Sequence, residues 1–125
     1  MTNLGLQIAN DKPGYFMESL IHAREWIVGA TLSWVVEDIL ENYGKDREIT
    51  ALVDDYDLYF LLVTNPDGYE YTQTNRMWRK TRSPNAQSTC IGTDPNRNWD
   101  FHWNEAGTST NPCAVRHFPA QFPPV

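Results

Sequence analysis

What this chain has little of narrows its function before any motif is considered. No run approaches the ~20 apolar residues that a membrane-spanning helix needs, and Met1-Thr2-Asn3-Leu4-Gly5 lacks the basic and apolar regions of a secretory leader. Positive charge is scarce: 10 Lys and Arg stand against 16 Asp and Glu, a formal net charge of −6. Such a chain has no field to hold a phosphate backbone or an anionic lipid surface, so neither nucleic acid nor a membrane is an expected partner. Cysteine is limited to Cys90 and Cys113, too far apart for a C-x-x-C redox pair and too few for a structural zinc cluster. One disulfide is the economical reading, worth roughly 3 kcal/mol in an oxidising compartment. Two free buried thiols remain open on counting alone. No internal repeat or low-complexity segment is visible, although the C-terminal end turns proline-rich.

What is present is globular. The 125 residues fit one domain, and 41% apolar residues with five Trp, six Tyr and five Phe suffice to build a core. Leu6–Ala9 and Tyr15–Leu20 read as short strands around the turn formers Asn10-Asp11-Lys12-Pro13-Gly14. From Glu25 to Tyr43, apolar residues at Ile27, Ala30, Trp34, Val35 and Ile39 have amphipathic-helix spacing, and Gly44 supplies a left-handed stop. Asp46 can cap a second helix running through Val53, with Ile49, Leu52 and Val53 on one side. Tyr56 to Thr64 is almost wholly apolar, as a strand buried on both faces is, and helix layers would have to cover it. Asn65-Pro66-Asp67-Gly68 reads as a turn that ends it. Beyond Tyr69 a polar stretch suggests a long surface excursion of the kind that carries function.

Three groups of residues can bear chemistry. His22 and Glu25, three apart where a strand meets the long helix, are both zinc-ligand types, although such a pair also arises as a half-buried His beside an N-terminal helical Glu. Arg79 lies in the basic run Arg76 to Arg82, which by itself reads equally as a solvated surface. Asn96 and Arg97 pair an amide with a guanidinium, a combination that grips a carboxylate bidentately or simply stabilises a turn.

Four blocks occur in order: Ile21-His22-Ala23-Arg24-Glu25-Trp26, Asn65-Pro66-Asp67-Gly68-Tyr69, Trp78-Arg79-Lys80-Thr81-Arg82-Ser83 and Asp94-Pro95-Asn96-Arg97-Asn98-Trp99-Asp100. Together they resemble the zinc metallocarboxypeptidases of the pancreatic carboxypeptidase A/B type. The resemblance implies an α/β fold, a mixed central sheet with helices on both faces, of which residues 1–113 form the N-terminal part of the catalytic domain. It implies His22 and Glu25 as two of three protein ligands to one Zn2+, and Arg79 as the group that steadies the developing oxyanion. Asn96 and Arg97 would clamp the terminal carboxylate of a peptide or protein substrate, and Arg24 would hold the chain upstream of it. Cys90 and Cys113 match the family's disulfide pair, which implies a secreted protein; a monomer is expected.

Departures from the family are equally plain. Its third zinc ligand is a His well beyond the Asn-Arg pair, and its general base is a Glu further on. The later histidines here are His102, read as a surface or packing residue, and His117 in the tail. Residues 114–125 form a divergent proline-rich tail: where relatives continue Ser-Glu-Thr and an aromatic, this chain has Ala114-Val115-Arg116-His117-Phe118. A shifted frame or misjoined exon is the simplest account, and the transcript sequence tests it. The expected function is zinc-dependent removal of C-terminal residues, with this chain inactive alone; the alternative is a non-catalytic product that at most binds peptide C-termini.

Overall fold

The computed structural model describes residues 12–114 apart from 87, 104 and 106. The strand expected over Leu6–Ala9, its hairpin with the following strand, and the tail from 115 onward with His117 lie outside the described residues. The second strand forms as β1, Gly14–Glu18, and pairs in parallel with β2, Asp57–Leu61, in a register that runs from Gly14 opposite Asp57 to Glu18 opposite Leu61. A parallel pair needs a crossover, and here α1, Trp26–Asn42, and α2, Arg47–Asp55, provide it. A second, antiparallel pair joins β3, Pro84–Asn85, to β4, Ser88–Ile91. Both strand senses expected of an α/β fold are therefore present, in two separate two-stranded sheets among the described residues.

Local signals place the helix ends. Gly44 takes φ +76° just beyond α1, where the Tyr43 amide returns to the Ile39 carbonyl at 3.0 Å. The Asp46 carboxylate accepts from the amides of Glu48 and Ile49 at 2.8 and 3.0 Å and so caps α2, which continues to Asp55 rather than Val53. The Asn65-Pro66-Asp67-Gly68 block is not a simple turn. It opens α3, Pro66–Tyr71, because Asn65 caps the Gly68 amide at 3.1 Å and Pro66 occupies a first-turn position whose missing N–H costs nothing.

The face that α1 buries also differs from expectation. Ile27 and Trp34 are 75% and 63% exposed, whereas Gly29 and Leu32 are buried. Gly29 lets the helix approach Leu20 closely, since a Cβ there would lie 2.7 Å from the Leu20 side chain. β2 is half-buried rather than enclosed on both faces. The Ser19 amide and carbonyl continue the β1–β2 ladder to Leu61 and Thr64, and Leu20, at φ +55°, then turns the chain sharply toward His22.

Candidate active site

Three chain segments meet beyond the ends of β1 and β2, and backbone hydrogen bonds lace them together. The Ala23 amide donates to the Arg79 carbonyl at 3.2 Å, and the Thr81 amide donates to the Thr93 carbonyl at 2.9 Å. Gly92 makes the second contact possible: it sits at φ +86°, and a Cβ there would meet the Thr81 carbonyl oxygen at 2.1 Å. His22, Arg79 and Asp94 are thus carried to one place on separate segments.

Their side chains form a closed cluster. His22 Nδ1 faces Glu25 Oε2 at 3.1 Å, and His22 Nε2 faces Asp94 Oδ1 at the same distance. Arg79 Nε donates to Asp94 Oδ2 at 2.9 Å and Arg79 Nη1 donates to Glu25 Oε1 at 3.2 Å. Asp94 has no exposed surface and His22 is 6% exposed, while Glu25 opens toward solvent. Asp94 is the node the sequence motifs did not single out. It also accepts the Asn96 amide at 3.1 Å and caps the 3₁₀ turn Pro95–Arg97. An acidic residue before Pro is a recognisable cap pattern, but nothing local links it to His22, 72 positions earlier.

The donor set fits a metal cation at the exposed side of the imidazole. If Nε2–H donates to Asp94, a neutral His22 turns the lone pair of Nδ1 toward a carboxylate oxygen, an arrangement that a cation between the two atoms relieves. A carboxylate on the far nitrogen is also how metal-binding histidines are held. No group of three or more His, Cys, Asp or Glu positioned to hold a metal exists among the described residues. His102 does not approach the cluster; it is exposed, bonds Glu105 Oε2 at 2.8 Å and packs edge-on against Phe101.

The remaining motif residues surround this centre unequally. Arg24 is half-buried, and its carbonyl accepts from Arg76 Nη1 at 2.8 Å. Asn96 and Arg97 are brought alongside through Asp94, but their side chains bond locally: Asn96 Oδ1 accepts from Trp99 Nε1 at 3.0 Å, and Arg97 Nη1 donates to the Asn96 carbonyl at 2.7 Å.

The run from Arg76 to Arg82 is exposed at Arg76 and Met77 but packed from Trp78 onward. Arg76 lies 4.0 Å over the Trp26 ring, and Arg82 lies 3.6 Å over Tyr71 and 4.6 Å over Trp78. Lys80 is buried, with Nζ donating to the Pro112 carbonyl at 2.8 Å. Burial lowers its ammonium pKa below the usual lysine value, an effect that Asp94 opposes. Next to Lys80 the Cys90–Cys113 disulfide closes the polar excursion, with alpha carbons 5.1 Å apart. A cavity of about 560 Å3 lies between this bridge, Tyr71, Trp78 and Arg79.

Comparison with known proteins points to one family. Residues 3–121 match the family described as zinc carboxypeptidase. A zinc carboxypeptidase of Simulium vittatum is 53% identical over 87% of this chain and 36% of its own length. Carboxypeptidase A2 of Mus musculus is 49% identical over 91% of this chain and 28% of its own. Among solved structures, bovine thrombin-activatable fibrinolysis inhibitor superposes with a TM-score of 0.81 at 38% identity, covering 90% of this chain and 36% of that one. The chain therefore spans about a third or less of the length of these curated relatives. With the fold, the four sequence blocks and the match over nearly its whole length in agreement, the chain belongs to the zinc carboxypeptidase family.

Proposed function

We propose that residues 1–113 are the N-terminal part of a catalytic domain that hydrolyses C-terminal residues from peptides and proteins, with residues 114–125 a divergent tail. The observation that carries this reading is the His22–Glu25 pair, whose Nδ1 and Oε2 face each other at 3.1 Å beside Arg79. Zinc held by that pair would polarise the scissile carbonyl and activate water.

The chain's own residues supply positioning and charge. Asp94 fixes the imidazole plane and its tautomer, so that Nδ1 stays directed outward. Arg79, held by Asp94 through Nε, keeps its guanidinium at the cluster's edge, where it meets negative charge growing on the carbonyl oxygen. Asn96 and Arg97 turn from their local bonds to grip the substrate's terminal carboxylate, which makes the enzyme an exopeptidase. Arg24 steadies the peptide upstream. The family resemblance and the disulfide support a secreted, monomeric protein.

Titration of the chain with zinc, followed by an assay of peptides with aromatic, aliphatic and basic ends, tests the proposed metal site and its completeness. We expect zinc binding that His22→Ala and Glu25→Ala each remove, with no release of C-terminal residues. Release that a chelator and Glu25→Ala both abolish would show that the chain is catalytically complete. Zinc binding unaffected by either substitution would remove the metal-site reading.

A further inference from the structure

The Asn65-Pro66-Asp67-Gly68 block has no part in the chemistry above, yet its first residue reaches both halves of the site. Asn65 is 5% exposed, and its carboxamide has two N–H donors and one acceptor oxygen to satisfy. The oxygen accepts from the Gly68 amide at 3.1 Å and caps α3. Nδ2 donates to the Ile21 carbonyl at 3.3 Å and to the Lys80 carbonyl at 3.1 Å. Ile21 immediately precedes His22, and Lys80 immediately follows Arg79.

One side-chain nitrogen therefore bolts the segment bearing His22 and Glu25 to the segment bearing Arg79. The next bond between these segments, Ala23 amide to Arg79 carbonyl, lies alongside it. Gly68 belongs to the same device: a Cβ there would stand 2.6 Å from both the Asn65 amide atoms and the Lys80 carbonyl oxygen, so only glycine lets the clamp close.

We propose that Asn65, seated by Gly68, is a positioning residue that sets the spacing between the His22–Glu25 pair and Arg79, apart from its part in capping α3. The proposal rests on the reading of that pair as a metal site only for its functional consequence; the clamp itself is a matter of hydrogen bonds. A cap alone would be served as well by Ser or Asp, both good capping residues. Neither can replace the two donors. Serine is too short to reach both carbonyls, and an aspartate would set a carboxylate oxygen against them.

Native-state amide exchange of the full chain, read residue by residue by NMR, tests this in Asn65→Ser, Asn65→Asp and Gly68→Ala. Asp46→Ala, which removes the cap of α2, is the control for a general loss of stability. We expect exchange at the Ala23 amide to accelerate at least about tenfold in all three variants, the scale of one lost buried hydrogen bond. The Leu32 amide within α1 should change no more than it does in Asp46→Ala. In Asn65→Ser the Gly68 amide should stay protected, and the affinity for zinc alone should fall about tenfold.

Equal acceleration at Ala23 and Leu32 would reduce Asn65 to a contributor of overall stability and overturn the proposal. So would an unaltered Ala23 in Asn65→Ser, or unfolding of Asn65→Ser and Gly68→Ala under conditions where Asp46→Ala stays folded. Failure of the wild-type chain to bind zinc would count against the metal reading instead, and the exchange rates would still decide the clamp.

Discussion

The site end of the molecule and its helical layer distribute polarity in opposite ways. Around the site the buried residues are mostly polar: Ser19, His22, Asn65, Thr72, Lys80 and Asp94, with Ala23 among them. Across α1 and the β1–β2 pair many large apolar side chains face outward, among them Phe16, Ile27, Trp34 and Leu40, while the buried apolar residues described are Leu20, Ala23 and Leu32. Hydrogen bonds are satisfied between near neighbours once three segments are laced, so the polar cluster closes on itself. Apolar surface closes only when another layer covers it. This contrast shows that the two regions depend on different partners.

Breaking the polar side should have the largest effect. Asp94→Ala removes the acceptor for His22, Arg79 and the Asn96 amide, leaving a mostly buried guanidinium without its tightest partner. A loss of about 3–5 kcal/mol is expected in urea denaturation, the range for a broken buried pair. A loss under ~1 kcal/mol would show that the cluster is not held from within.

Second in size is the disulfide, which joins residues 23 positions apart. Cys90→Ser with Cys113→Ser should cost about 3 kcal/mol through the freed denatured chain. The Lys80–Pro112 bond beside the bridge should loosen first, visible as a larger increase in amide exchange at position 113 than at Leu32 relative to the wild type.

The apolar side should respond in the opposite way. Ile27→Gln with Leu40→Gln, both on outward positions of α1, should leave stability within about 0.5 kcal/mol while lowering dye binding and self-association. A marked loss of stability would mean that these side chains are covered in solution.

The smallest effect concerns pH. The Tyr43 hydroxyl donates to Asp54 at 3.0 Å, and that bond, followed by the charge of Asp54, raises the tyrosine pKa above its ordinary value near 10. A raised folded-state pKa contributes stability that is fully present below the unfolded value and is lost as pH rises through the folded one. Tyr43→Phe should therefore lower stability slightly at neutral pH, where the bond is intact, and flatten the decline above pH ~10; a profile unchanged from the wild type in urea denaturation would show that the bond contributes nothing.

How far these features were readable in the chain follows from the range of the forces involved. Helix α1, the left-handed Gly44 and the Asp46 cap act over a few residues, and each appeared where its local pattern placed it. The four motif blocks and their order sufficed to identify the family, because residue types at such spacings are specific without any coordinates. Asn65 to Gly68 reads as a turn because its first three residues suit a turn and a helix start equally, and only the Asn65 cap distinguishes them.

What remained hidden depends on contacts between distant segments. No local pattern told that α1 would bury Gly29 and Leu32 instead of Ile27 and Trp34; the position of Leu20, set by its left-handed turn, decided it. Nor could spacing assign Asp94 to His22 or Asn65 to the Ile21 and Lys80 carbonyls. The sequence by itself determined the family, the long helix with its glycine stop, the Asp46 cap and which side chains could bear chemistry, since these are written in short-range patterns. Only the tertiary structure decided which of those side chains share a proton acceptor, because that pairing exists once the segments 19–25, 78–81 and 92–97 are laced side by side.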